Sequence, residues 1–334
     1  MVTGASTADV SVVLIDARRG VLEQSKRHAY ISALLGIPKL VVAVNKMDLV
    51  GHSRERFGEI CEEFESFAPS LREGGRRAGD QYEIIYIPMS ALNGDNVVDR
   101  SQTMDWYEGP ALLELLEQVE VAYDHPDDTP ARMPVQWVIR VGGHRSGPAA
   151  GDYRGYAGQI ASGALHRGDE VTVLPGGGRT RIAAIDTYDG ELEEAMAPMS
   201  VTLRLEDELD VSRGELVCRA EQAPTVAREL EADVCWMSER PLRPGGRYLV
   251  KHTTRTAGAI VDGLLDRVDV HTLERTDESP TELALNDIGR VRLRTSSPLV
   301  FDPYERNRRT GAFILIDEAS NETVGAGMIA ASPE

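Results

Sequence analysis

Cysteine is scarce in this sequence: Cys61, Cys218 and Cys235 are three residues far apart in a chain of 334. An odd count with no C-x-x-C spacing excludes a disulfide framework and a cysteine zinc site. The seven histidines are scattered, and no H-x-x-x-H pair occurs, so no metal ligand set is expected. No apolar run reaches the ~18 residues that span a bilayer. The opening MVTGASTADV has no signal-peptide pattern. No membrane partner is expected, and a reducing cytoplasm is the expected compartment. Positive charge is in deficit, with 36 Lys and Arg against 54 Asp and Glu, a net charge of −18. Such a chain has no overall positive field to neutralise phosphates, so no nucleic-acid partner is expected.

What is present is room for two or three domains, with 42% hydrophobic residues to give each a core. The most informative stretch is Leu40–Val50, LVVAVNKMDLV. Its continuous apolar run reads as a strand buried on both faces of a parallel sheet. Ligands bind beyond the carboxyl ends of such strands, and there stand Asn45, Lys46 and Asp48. That pattern suits guanine. A carboxylate can accept from the ring N–H and the exocyclic amino group together, a donor pair that adenine lacks. The Asn45 amide can reach another edge of the base, and the Lys46 stem can lie along the purine face. A second strand, Tyr82–Met89, runs into Ser90, Ala91 and Leu92. In guanine-nucleotide-binding proteins such an S-A-x loop offers a backbone N–H to guanine O6. Alternatively, Asn45-Lys46 and Asp48 form an ordinary capped strand-to-helix turn.

Around these strands the pattern alternates. A strand is expected at Asp9–Asp16 and a helix at Glu23–Leu35, stopped by Gly36-Ile37-Pro38. An acidic helix at Ser53–Ala68 carries Phe57, Ile60 and Phe64 at helical spacing. Leu71–Asp80 reads as a solvated loop, and Pro110–Tyr123 as a helix with proline in its first turn. The alternation predicts a parallel sheet with crossover helices over residues 1–123. Asp124–Pro134 reads as a linker. Short β-rich runs then recur in two blocks, 130–220 and 224–331, broken near Ala220–Pro224. Two consecutive small β-barrels are the economical reading. Gly142–Gly155 reads as a loop, with no strand-to-helix context for cradling a phosphate.

An N-K-x-D and S-A-x domain ahead of two barrels resembles the translation-factor-type GTPases. Within them the chain resembles most the GTPase subunit of bacterial sulfate adenylyltransferase. The residues that carry this are Thr3–Asp9 (TGASTAD), Leu14–His28 (LIDARRGVLEQSKRH), Asn45–Val50 and Ser90–Val97. Trp106–Glu117, Asp152–Gly163 and Gly311–Met328 extend it over essentially the whole chain. The resemblance implies a subunit that couples GTP hydrolysis, with Mg²⁺, to sulfate activation. A separate, smaller catalytic subunit would convert ATP and sulfate to adenosine 5′-phosphosulfate and pyrophosphate. It implies guanine contacts at Asn45, Lys46, Asp48, Ser90, Ala91 and Leu92, and no adenylyl-transfer residue in this chain.

The sequence departs from that family in one respect. It contains no G-x-x-x-x-G-K-[ST] and no D-x-x-G ahead of TGASTAD, the parts that hold the β- and γ-phosphates and Mg²⁺. The expectation is therefore an amino-terminally truncated subunit, inactive alone, whose Asp9–Asp16 strand becomes an exposed edge. A nucleotide-free scaffold is the competing reading. A translation factor delivering tRNA is a third, disfavoured by the acidic charge.

Overall fold

A computed structural model describes residues 8–74, 82–119, 129–141, 153–269, 272–276 and 278–332. The chain divides into two units, Met1–Ala122 with Val268–Asp277, and Tyr123–Arg267 with Glu278–Glu334.

The first unit is built on the run that opens the guanine motif. β2 (Lys39–Asn45) is the middle of a three-stranded parallel sheet, between β1 (Val10–Asp16) and β3 (Glu83–Pro88). Leu40 to Val44 are fully buried, as a strand covered on both faces requires. Among the described residues β1 pairs only with β2, and on it Val12 and Leu14 are 41% and 62% exposed. The crossovers are α1 (Glu23–Leu34), then α2 (Arg54–Glu65) and α3 (Ala68–Gly74). Ser53 caps α2 by accepting from Arg56 N–H at 3.1 Å. Ile60 and Phe64 of α2 are fully buried, while Phe57 packs on Trp106 and Tyr107. α4 (Leu112–Gln118) follows Ala111, whose N–H donates to Glu114 Oε2.

Two expectations need correction here. Leu71 is not in a solvated loop: it is fully buried, as is Ala68, and the apolar contact holds a helical turn with Pro69 at its start. The rest of that loop lies outside the described residues. The Pro110 helix is shorter than expected, because Ala111 is its cap and Val119 has extended backbone.

The second unit is all β. Its first part is a curled sheet in the order β4 (Arg132–Pro134), β13 (Leu216–Arg219), β8 (Glu170–Leu174), β9 (Gly178–Thr187), β12 (Ser200–Leu205), β6 (Tyr153–Gln159), β5 (Trp137–Val141). β10 (Gly190–Leu192) extends β9, and β7 (Ala164–His166) pairs with β11 (Glu194–Met196). The curl closes on one apolar core that includes Met133, Tyr156, Val171, Ile185 and Leu203. Gly158 is needed where the curl brings β4 onto β6: a Cβ there would lie 2.4 Å from the Pro134 carbonyl oxygen. Four strands, β4, β7, β10 and β11, are too short to show a two-residue period and escape sequence reading. Tyr153–Gly155 belongs to β6, not to a loop, because it pairs with β5; residues 142–152 are outside the described set.

The second part is a closed six-stranded barrel. It comprises β14 (Thr225–Trp236), β17 (Ile288–Phe301), β16 (Arg255–Arg267), β15 (Arg247–His252), β18 (Ala312–Ile316) and β19 (Thr323–Ala331), with β19 returning to β14. Trp236, Val250, Leu293, Phe301 and Leu315 are among its buried core. On the outside, alternate residues of β17 share one face, and each meets an acid. Arg290 forks onto Asp233, Arg292 onto Glu231 and Arg294 onto Asp262. The first two pairs are direct cross-strand partners, so the ladder of charge holds the register of β14 against β17.

The two parts join through a buried polar network. The Arg132 guanidinium forks onto both oxygens of Asp302 at 2.9 Å each, and Thr310 Oγ1 donates to Asp302 at 2.6 Å. Asn307 Nδ2 donates to Ser162 Oγ at 2.7 Å. Leu174, Leu216, Cys218 and Val300 form an apolar patch alongside. Next to it His252 is buried, its Nε2 donating to the Thr310 carbonyl at 2.7 Å.

Burial pushes His252 below its ordinary value of 6.5, although the Thr310 carbonyl and Asp302 pull the other way. The neutral ring therefore stabilises the fold fully above the unfolded-state value. That contribution is lost as pH falls from about 6.5 toward the lower folded value, because only the unfolded chain takes up the proton. Urea unfolding at pH 7.5 and pH 5.5 is expected to show the loss, and His252→Gln should flatten it. An unchanged slope in the variant would remove His252 from the account.

Candidate functional site

The site lies beyond the carboxyl ends of β1, β2 and β3. The parallel register sets Asp16 opposite Asn45 and Val44 opposite Pro88, so residues just past the three strand ends converge. Lys46 leaves β2 in a left-handed conformation, φ 66°, and Met47–Val50 makes one tight turn. A lysine in that region is uncommon and marks a functional constraint more often than chance. Met47 is buried beneath the turn, its N–H donating to the Met89 carbonyl at 3.2 Å.

The two loops named from the sequence are stitched together by side chains. Asn45 Oδ1 accepts from Lys46 N–H at 2.7 Å and from Ala91 N–H at 2.9 Å. Ser90 Oγ donates to Asp48 Oδ1 at 2.7 Å. Ser90 is fully buried, whereas Ala91 and Leu92 are open to solvent, Leu92 at 86%. These bonds tie the residues of the two loops to one another. Ser90 orients the Asp48 carboxylate from behind. Ala91 spends its N–H on Asn45, which makes Asn45 a strut between the loops. Asp48 and Asn45 are both partly exposed at the loop surface.

A second layer holds the loop after Ser90. Its N–H donates to the Asp95 carbonyl, and buried Asn96 donates to the Pro88 carbonyl and accepts from Ser101 N–H. Asp95 Oδ1 takes the Ser101 hydroxyl at 2.7 Å. Trp106 Nε1 donates to the His52 carbonyl at 3.1 Å, tying the downstream segment to the tight turn.

The profile of the elongation factor Tu GTP-binding domain matches residues 1–124. That of the GTP-eEF1A C-terminal domain-like family matches 229–330. Along both matched stretches the chain is similar to translation-factor-type GTPases. Among its relatives, the bifunctional enzyme CysN/CysC of Mycobacterium tuberculosis is 51% identical over 98% of this chain. The CysN/CysC enzyme of Rhodopirellula baltica is 49% identical over 98%. The chain spans about half the length of these curated relatives, 52% and 48%. Crystal structures of sup35 with GMPPNP and with GDP align with a TM-score of 0.56 at 26% identity. They cover 99% and 100% of this chain, which in turn covers 80% and 81% of theirs.

Asn45, Lys46 and Asp48 stand together with Ser90 and Ala91 beyond the strand ends. The paired loops bring together a carboxylate acceptor, a side-chain amide and a lysine stem. No G-x-x-x-x-G-K-[ST] occurs in the 334 residues. Among the described residues no group of three or more His, Cys, Asp or Glu could hold a metal ion. None of the described helices is long and apolar enough to cross a membrane.

Sequence reasoning missed Asp16 and Arg18. Asp16 Oδ2 accepts from Lys46 Nζ at 2.8 Å and from Arg18 Nη2 at 2.7 Å. Its Oδ1 accepts from Arg18 N–H and Nε–H at 3.0 Å each. Arg18 first, then Lys46, hold the Asp16 carboxyl far below the usual carboxylate range. The available signal was position alone: Asp16 ends the strand that a parallel sheet sets beside β2.

Proposed function

We propose that the chain is the GTPase subunit of a sulfate adenylyltransferase, carrying guanine recognition and the two β parts of that subunit. The stitched loops, with Asn45 bonded to Ala91 and Asp48 to Ser90, carry the guanine reading. The names of relatives at 51% and 49% identity carry the link to sulfate activation. Guanine would sit between the Lys46 stem and the Ser90–Leu92 loop. Its ring N–H and amino group would donate to Asp48, and Asn45 Nδ2 would reach its other edge. Leu92, beyond the Ala91 strut, would give its N–H to guanine O6.

The activity is divided. GTP hydrolysis needs phosphate and Mg²⁺ groups that these residues do not supply, so the 334-residue polypeptide is inactive alone. Adenylyl transfer belongs to a smaller partner subunit. The working domains are 1–123, 130–220 and 224–331, in the cytoplasm.

The test is association. The chain, joined to an upstream segment bearing G-x-x-x-x-G-K-[ST], is co-expressed with the small adenylyl-transferring subunit and purified through a tag on either one. A stable complex is expected. Two folded proteins that elute separately would count against the assignment.

A further inference from the structure

The geometry points to Asp16 as a positioning residue that holds Lys46 in place for the purine. This rests on the reading that Asn45, Lys46 and Asp48 receive guanine, and it adds a residue outside the two loops. Asp16 is brought there by register, since β1 and β2 end together with Asp16 opposite Asn45.

Three observations converge. The left-handed backbone at Lys46 coincides with a side chain that reaches back to β1, where Nζ meets Asp16 Oδ2 at 2.8 Å. That oxygen is itself fixed, because Arg18 forks the carboxylate with Nη2 and Nε and adds its own N–H to Oδ1. The carboxylate is thus saturated with four donors, as many as its two oxygens readily accept, and has little freedom to turn. Finally, Lys46 joins the two sites in the chain, since it contacts Asp16 through Nζ while its N–H donates to Asn45 Oδ1 at 2.7 Å.

A lysine tethered at its head has a stem that is ordered before any ligand arrives. A free lysine loses rotamer freedom when a ring packs on its stem, and that loss weakens binding. The Lys46 and Arg18 side chains are about half exposed, 46% and 47%. Exposed ion pairs contribute little to folding. The consequence of the Asp16 clamp is therefore read in base affinity and not in fold stability.

The experiment titrates the 334-residue chain with GMP, IMP and AMP, followed by NMR. The unaltered chain should prefer GMP to AMP. Asp16→Asn and Lys46→Met are each expected to weaken GMP binding about tenfold, and the double variant by about tenfold as well, because both remove one device. The ratio of GMP to IMP affinity should stay unchanged in Asp16→Asn, since Asp48 reads the amino group. Asp16→Glu keeps the charge and should recover part of the loss, which also guards against a folding defect in the first variant. Additive losses in the double variant, or full affinity in Asp16→Asn, would overturn the assignment. An unaltered chain with no preference for GMP over AMP would overturn the guanine reading, and this inference with it.

Discussion

Isothermal titration of the 334-residue chain with Mg-GTP is expected to give a dissociation constant near ~1 mM, the value for about 4 kcal/mol of contact to the base alone. The two loops are already held together, by Asn45 bonded to Ala91 and Ser90 to Asp48. Most of the binding energy of a nucleoside triphosphate comes instead from charge-assisted bonds to phosphate oxygens and Mg²⁺. Joining an upstream segment with a phosphate loop should strengthen binding at least ~10³-fold, since each ~1.4 kcal/mol is worth a factor of ten. In that longer chain Asp48→Asn should cut the preference for guanine over adenine by about tenfold or more, because it removes the charged acceptor for two donors. Micromolar affinity in the 334-residue chain would mean that the phosphates are held by groups other than a phosphate loop.

The second large effect is expected in the β unit. Asp302→Asn should cost about 3–5 kcal/mol in urea unfolding, the range for removing one member of a buried ion pair. The Arg132 side chain is 3% exposed and that of Asp302 is 11%. The variant would leave a guanidinium inside the junction without a counter-charge, and would weaken the bond from Thr310. Replacing both partners, Arg132→Met with Asp302→Leu, should recover most of the loss, because an apolar pair of similar volume avoids desolvating two charges. A loss below about 1 kcal/mol for the single variant, the range of exposed pairs, would show that water reaches the junction.

The long elements were legible because their patterns are local. Leu40–Val44 is apolar without a break, and the tight turn of N-K-x-D follows at once. Glu170–Leu174 stands between Asp169 and Pro175, and Arg247–His252 follows Pro244-Gly245-Gly246. What was not legible depends on partners far along the chain. Leu71 looks solvated beside Gly74 and Gly75, and only its burial against the helices makes it core. Arg132 and Asp302 are 170 residues apart and read as ordinary surface charges until the junction joins them. At the site, Asn45, Lys46, Asp48 and Ser90 could be named, but their division of labour could not. That Ser90 serves Asp48, and Ala91 serves Asn45, depends on how two loops meet in space.

The barrel closed by β14 and β19 imposes an order on biosynthesis. β14 leaves the ribosome first and cannot complete its hydrogen bonding until β19 has been made. At ~5–20 residues per second, that interval is roughly five to twenty seconds. Through it the core side chains of β14, among them Leu230, Val234 and Trp236, have no closed interior to enter. Nascent chains stalled before Thr323 should therefore be the ones that chaperones hold and proteases cut.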